Sequence, residues 1–434
     1  MIRLAKAKAA VEKEPLVHPF GFKGGSISEL WQSAVLLGGE SGGEAVGLGV
    51  QSVLWSDPRV FFALGETEGN AVMYAMTRHA LDRAVGSAFA SPPELLESVA
   101  GPTLEYGKRA TGLADLRETF ALNALVPFDH AAWMLYCRER GIRSFDDLIP
   151  DDYRGAFGYR HAKLAAIPVV SYQHTESDIA SMLNEGYFVL KIKLGADPDQ
   201  DGDPGKMLEW DKRRLETIHR LAADRKTPYT DCGLVVYYLD INGRYERKEQ
   251  LMRLIDHADR IGALDRIVLV EEPFAEDNKT PVHDVPVRVA ADESVHNERE
   301  AAERIDLGYG AITLKPIAKT MSVSFKVAKV AGERGVPCFC ADLTVNPLMV
   351  DWNKNVAARL APVPGLKVGL IESNGSQNYK NWDLMKQYHP CGDAGWVEPK
   401  GGIYELDESF YAESGGVFER YVHYERLFAD QTDV

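Results

Sequence analysis

Cysteine is scarce in this chain. Five occur in 434 residues (Cys137, Cys232, Cys338, Cys340 and Cys391), an odd number without the spacing of a disulfide framework. Cys338 and Cys340 bracket Phe339 in a strand-like run; two thiols alone do not make a zinc site, so they read as small core residues. No stretch approaches the ~20 apolar residues of a membrane-spanning helix. The basic start, MIRLAKAKAAVEKEP, is interrupted by Glu12, Glu14 and Pro15 before the apolar core of a signal peptide. A cytoplasmic protein is the expectation. Cations are also in deficit, with 49 Lys and Arg against 64 Asp and Glu and a formal net charge of −15. That balance disfavours nucleic acid and anionic membrane as partners. A small anionic substrate stays compatible, because a local cation outweighs the global field. None of the 11 histidines falls at the end of a strand-like run, which argues against a histidine-ligated hydrolytic metal centre.

What the sequence does have is alternation. From about residue 160, eight strand-like runs follow one another with helical patterns in most gaps. They are LAAIPVVSY (164–172), YFVLKIKLG (187–195), GLVVYYLDING (233–243), RIVLVEEP (266–273), VRVAADES (287–294), AITLKP (311–316), VPCFCADL (336–343) and LKVGLIES (366–373). The count and length predict an α/β chain with a (β/α)8-type TIM barrel over 156–390. Residues 1–155 differ in texture. They predict a separate α+β capping domain, with a strand pair around the glycines of 39–55 and helices over AMTRHALDRAVGSAF and DLRETFALNALVPFDHAAWMLYCRERG. The aromatic-rich tail, 391–434, is expected to pack back on that domain.

Catalytic groups of such barrels gather where strands end at the C-terminal face. The second strand offers Lys191 and Lys193 on one face, with apolar residues on the other. The third offers Asp240 and Asn242, the fourth Glu271 and Glu272, the fifth Asp292 and Glu293. The sixth offers Lys315, the seventh Asp342, the eighth Glu372 and Asn374. A lone carboxylate at a strand end is usually a surface or capping group. Three successive strands ending in carboxylates crowd like charges at one rim and need a cation. Oxygen ligands suit a hard ion such as Mg2+, which keeps open positions for a substrate carboxylate. Lysines to either side then suit proton transfer, one taking a proton while its neighbour lowers its pKa and holds the carboxylate. The acidic loop DPDQDG in 196–205 matches half of a calcium loop but has Leu208 where the closing glutamate belongs, and reads as a solvated turn that could border the pocket.

These motifs, in this order, resemble the barrel of the enolase superfamily, nearest its muconate-lactonizing subgroup (the mandelate racemase and muconate-lactonizing enzyme type). They are K-x-K (Lys191, Lys193), D-x-N (Asp240, Asn242), V-E-x-P (Glu271, Pro273), D-E-S (Asp292, Glu293) and the sixth-strand Lys315. The intervals from Asp240 to Glu271, Asp292 and Lys315 are 31, 21 and 23 residues, near one β/α unit each. The resemblance implies Asp240, Glu271 and Asp292 as Mg2+ ligands, Lys193 and Lys315 as the acid/base pair, and Lys191 as the group that polarises the substrate carboxylate. A lysine base with Mg2+ stabilising an enediolate is that superfamily's known pattern. The implied activity is abstraction of the α-proton of a small-molecule carboxylate, with a racemase or epimerase (an isomerase) as the leading expectation. A dehydratase or cycloisomerase-type lyase acting on a sugar acid or related carboxylate is the alternative. A non-catalytic metal-stabilised binding barrel is the rival of another class. Asn242, Glu293, Asp342 and Glu372 are expected as supporting or substrate-facing residues. HPFGFKGG falls where the family's specificity loop would lie, which leaves two readings: Lys23 or Phe22 touches substrate, or the stretch is a plain glycine-rich turn. A homo-oligomer is expected by the same analogy. The chain departs from the pattern in two places: 47 residues separate Lys193 from Asp240, and the eighth strand ends IESNG where dipeptide epimerases carry two spaced aspartates. The second departure lowers dipeptide epimerisation as an expectation.

Overall fold

The computed structural model describes residues 1–22 and 24–429. Its N-terminal part is a four-stranded antiparallel sheet in the order β3-β2-β1-β4, built from β1 (Ile2–Phe22), β2 (Gly25–Gly39), β3 (Glu44–Gln51) and β4 (Ala88–Phe89). The expected strand pair within 39–55 is displaced. Residues 40–43 are the turn joining β2 to β3, and Val53–Ser56 is already a short helix. The larger hairpin lies upstream, with register from Leu4↔Gly39 to Phe22↔Gly25. Its first strand is rich in Ala, Lys and Glu, residues that favour helix in isolation. Pairing against the apolar, almost wholly buried β2 overrides that preference. Pro15 sits on this outer strand, where a missing N–H costs little, and its carbonyl accepts from Lys380 N at 3.0 Å.

Helix Glu118–Arg140 lies across the sheet, buried from Thr119 to Leu135. Close approach rests on Gly47 and Gly49 of β3. A Cβ on Gly47 would lie 2.1 Å from Ala131 N and 2.3 Å from Pro127 O, both backbone atoms. Gly47→Ala is therefore expected to cost about 3 kcal/mol, near the top of the range for overpacking a core, read as a fall in the denaturant midpoint. The same helix grips the barrel. The Asp129 carboxylate accepts from Met321 N (2.9 Å), Ser322 N (3.0 Å) and Ser322 Oγ (2.5 Å), capping helix Met321–Glu333. His130 packs on Trp352 with ring centroids 4.9 Å apart and meets Pro316 O through Nε2 at 3.3 Å. Burial pushes its pKa down to about 4. The folded state thus binds this proton less well than the unfolded chain, so stability is full above pH ~6.5 and falls as the pH drops toward 4. The loss expected from this group is on the order of 3 kcal/mol. Urea unfolding from pH 7 to 4 should show that acid limb shallower in His130→Gln.

The second sheet holds ten strands in the order β14-β5-β13-β12-β11-β10-β9-β8-β7-β6. They are β5 (Lys163–Ile167), β6 (Val169–Val170), β7 (Val189–Lys193), β8 (Val236–Asp240), β9 (Ile267–Glu271), β10 (Val289–Ala291), β11 (Ala311–Leu314), β12 (Cys338–Cys340), β13 (Gly369–Glu372) and β14 (Ile403–Glu405). Only Pro168 separates β5 from β6. β5 pairs parallel with β13 and β6 parallel with β7, so these two pieces of one strand close the sheet into an eight-stranded parallel barrel. β14 adds an antiparallel strand outside β5. Every expected barrel run contains a strand, and the inward residues are almost wholly buried, as a sheet covered on both faces requires. The C-terminal region also touches the N-terminal sheet: Asn381 Nδ2 donates to Glu14 at 2.9 Å, and His423 Nε2 meets Glu12 at 2.8 Å. Among the described residues no helix is long and apolar enough to cross a membrane.

Candidate active site

The ends of β7 to β13 converge on one charged floor. Parity places Lys191 and Lys193 on the same face of β7, and both reach Asp240 Oδ2, at 3.1 and 2.6 Å. Lys191, 2% exposed, also meets Glu271 Oε2 at 2.7 Å and Glu372 Oε2 at 2.9 Å. Lys193 donates to Asn242 Oδ1 at 3.0 Å, and Asn242 Nδ2 donates to Glu293 Oε1 at 3.0 Å. Across the floor, Lys315 meets Asp292 Oδ2 at 2.8 Å. Lys193 and Lys315 stand on β7 and just after β11, four strands apart in an eight-stranded barrel, so they approach the centre from opposite sides.

Electrostatics follow from this crowding. Glu271 is the middle carboxyl of three, hydrogen-bonded toward Asp240 and Asp292. Burial, then the Asp240 charge, pushes its pKa well above the ordinary range. Burial would also raise Asp240, but Lys191 and Lys193 outweigh it and hold that carboxylate below its usual range. Lys315 does the same for Asp292, with help from Lys319. For Lys191, burial acts to lower the pKa, yet Asp240, Glu271 and Glu372 together hold it well above the usual value. Burial likewise acts to lower Lys315, and Asp292 raises it. For Lys191 and Lys315, therefore, carboxylates within 3.1 Å outweigh burial and hold the ammonium form.

Glu272 is directed elsewhere. Its backbone takes φ 38° and its carboxyl accepts from Asp292 N (2.6 Å) and Ser294 Oγ (3.0 Å), bracing the turn after β10. Burial, then Glu293, pushes it up to about 8. Asp342 accepts from Asn374 N, Leu343 N and Val345 N at 2.7, 2.7 and 3.2 Å; burial, then Glu372, pushes it up to about 7. Above the floor is a cavity of about 60 Å3. Its lining includes Lys191, Lys193, Asp240, Asn242, Asp292, Lys315, Asp342 and Glu372 from the barrel, and Phe22 and Trp55 from the N-terminal part. The acidic loop does not line it: Asp199 and Asp201 pair with Lys206 instead, at 2.8 and 2.5 Å. Lys23 lies outside the described residues.

No family model matches the sequence, and no curated protein matches it. Solved structures do. A mandelate racemase/muconate lactonizing protein from Herpetosiphon aurantiacus superposes with a TM-score of 0.65 at 16% identity, covering 93% of this chain and 96% of the other. The chain has the mandelate racemase/muconate lactonizing fold. A dipeptide epimerase from Cytophaga hutchinsonii, complexed with Mg and the dipeptide D-Ala-L-Val, gives 0.62 at 14% identity and 87% and 88% coverage. An enolase superfamily member from Listeria innocua gives 0.59 at 16% identity, covering 88% of each chain.

Two features of this barrel escaped the sequence reading. Lys319 is buried and donates to Asp292 O (2.6 Å) and Val295 O (3.0 Å), fixing the backbone that carries Asp292. A second lysine four residues after Lys315 in an apolar run was the available signal. Trp55 places its ring centroid 4.6 Å from Lys315 Nζ, and only the N-terminal sheet's docking brings it there. Glu118, His296 and Glu300 form a separate group with metal-ligand spacing. None of them lines the cavity, and both ring nitrogens of His296 are engaged, with Thr119 at 2.8 Å and Glu300 at 2.9 Å.

Proposed function

We propose that this protein removes the α-proton of a carboxylate substrate with Mg2+ bound, and returns it to the opposite face, as a racemase or epimerase. The observation that carries the reading is half-buried Lys193 and buried Lys315 facing one another across three buried carboxylates. The residues fit a hard dication in donor type: Asp240, Glu271 and Asp292 offer buried carboxylate oxygens at the ends of three successive strands, and Asp292 Oδ1 has no hydrogen-bond partner. Bound there, the ion would supply positive charge to the substrate carboxylate and draw on the carboxylate charge that otherwise holds Lys191 and Lys315 above their usual range. Lys191 would hold a carboxylate oxygen of the substrate through its ammonium. Lys193 would take the α-proton on one face, and Lys315 would deliver one on the other. The neighbour complexed with Mg and a dipeptide supports the same class of chemistry for this barrel.

The test is α-proton exchange. The protein is incubated with Mg2+ and pooled chiral N-acylated amino acids, dipeptides and sugar acids in D2O, and masses are followed. Deuterium gained at the α-carbon without other mass change, and lost on adding a chelator, is the expected result. Loss of water from a sugar acid would assign the lyase chemistry instead.

A further inference from the structure

Lys193 is the last residue of β7, and it stands where the ladder runs out. The β6–β7 register ends at Val170↔Ile192, so at Lys193 the strand has a neighbour on the β8 side alone, through Lys193↔Asp240. Two residues on, Gly195 takes φ +79° and the chain turns away. A Cβ at Gly195 would lie 2.5 Å from Arg244 Cβ and 3.1 Å from Ile241 O, so the turn after β7 is pressed against the turn after β8. The lysine side chain is long, and where its ammonium stands depends on how firmly this turn is held.

Side chains replace the missing ladder. Asp211, on helix Pro204–Ala222, is fully buried, and both its oxygens accept from Gly195 N, at 2.8 and 3.0 Å. The buried Tyr245 hydroxyl donates to Asp211 Oδ2 at 2.7 Å. Tyr172, in the turn after β6, donates to Leu194 O at 2.8 Å. Arg244 Nε donates to Gly195 O at 3.2 Å, and Leu194 N donates to Asp240 O at 2.8 Å. Every backbone donor and acceptor of Leu194 and Gly195 is thus engaged. Burial pushes the Asp211 carboxyl up to about 7, against the donations of Tyr245 and the Gly195 amide. None of Asp211, Tyr245, Tyr172 and Arg244 lines the cavity, so what they do for a substrate runs through Lys193. The opposite lysine is held by other groups: Lys315 by Asp292, and the Asp292 backbone by Lys319.

We infer that Asp211, with Tyr245 behind it, is the positioning residue for Lys193. From outside the cavity it fixes the turn after β7, and so sets where the Lys193 ammonium stands on one face of the substrate only. This rests on the proton-abstraction reading of the site. A base displaced by about 1 Å loses about 100-fold in rate, and here the loss falls on one hand of substrate.

The experiment follows α-deuterium incorporation into an L pool and a D pool of N-acylated amino acids, using the full chain with Mg2+ in D2O. The hand that faces Lys193 is the one silenced in Lys193→Ala. For that hand, Asp211→Ala should lower kcat about 100-fold with KM within about twofold. The other hand should stay within about threefold. Asp211→Asn keeps one oxygen for Gly195 N and should recover about 10-fold of the loss. Tyr245→Phe removes a single hydroxyl and should show the same asymmetry at about 10-fold; it carries the test if Asp211→Ala does not fold, as judged by Tm. A second readout needs no turnover. Amide hydrogen exchange of residues 194–196 should quicken at least about 10-fold in Asp211→Ala, with 311–320 unchanged. Equal falls in both pools, or no fall in either, overturn the positioning role while proton abstraction stands. If the parent exchanges neither pool, the proton-abstraction reading is what fails, and amide exchange then decides the hold: quickening confined to 194–196 upholds it, and unchanged protection there overturns it.

Discussion

Lys193→Ala should abolish net inversion while leaving one enantiomer of substrate still exchanging its α-proton with solvent. In the proposed reaction, with two lysines on opposite faces, each would serve the proton of one enantiomer. Removing Lys193 takes away the base for one hand and the proton donor for the other. The hand whose proton faces Lys315 can still lose it and regain it from the same side. Lys315→Ala should show the mirror pattern. The expected loss in racemisation is about 10²- to 10⁴-fold, the span of a positioned general acid or base. Deuterium incorporation into each pure enantiomer, followed by chiral chromatography, separates this from simple damage to the site. A variant that had lost its geometry would exchange neither hand. Equal residual exchange of both hands in Lys193→Ala would rule out the two-base arrangement. Folding of the variants is checked by their Tm. Lys193 is the safer deletion, since Asp240 keeps Lys191 as partner.

Glu271→Gln should leave the metal-free protein as stable as the parent while removing its response to Mg2+. Glu271 is buried between Asp240 and Asp292, and its carboxyl is held well above the ordinary range by that burial and by Asp240. That direction favours the protonated carboxyl, whose shape an amide reproduces. Its contacts survive the change: the Tyr238 hydroxyl donates to Oε2 at 2.6 Å and Lys191 Nζ lies at 2.7 Å, both able to face an amide oxygen. The Tm without metal should move by no more than about 2 °C. Parent protein should gain Tm steadily with Mg2+, as a ligand bound only to the folded state requires, and the variant should not. Asp292→Asn is the contrasting case. Asp292 is the carboxylate between Lys315 at 2.8 Å and Lys319 at 3.5 Å. Neutralising it strands buried ammonium groups, and a loss of about 3–5 kcal/mol is expected even without metal. A Glu271→Gln variant as destabilised as Asp292→Asn would show that Glu271 is ionised in the metal-free protein.

The legible part of this protein was its periodicity and the charges that interrupt it. Strands buried on both faces need near-continuous apolar runs, so Lys191, Asp240, Glu271 and Asp292 stood out against their surroundings, and the C-terminal rim rule grouped them. Those four, with Lys193, Lys315, Asp342 and Glu372, do converge within one floor. The resemblance singled out Glu271 over Glu272, and the backbone separates them physically: at φ 38° Glu272 leaves the strand and braces the next turn.

What the sequence alone determined was thus the set of charged residues that must share an end of the barrel, because side-chain alternation and strand direction are local properties. The tertiary structure alone decided which partners each lysine takes, because contacts of about 3 Å between residues some 50 to 180 positions apart leave no trace in spacing. It also decided the apolar roof. The first strand of the hairpin that supplies Phe22 is made of residues that favour helix in isolation, and Trp55 reaches Lys315 only through the docking of the N-terminal part on the barrel, held by contacts such as those of Asp129 with Met321 and Ser322.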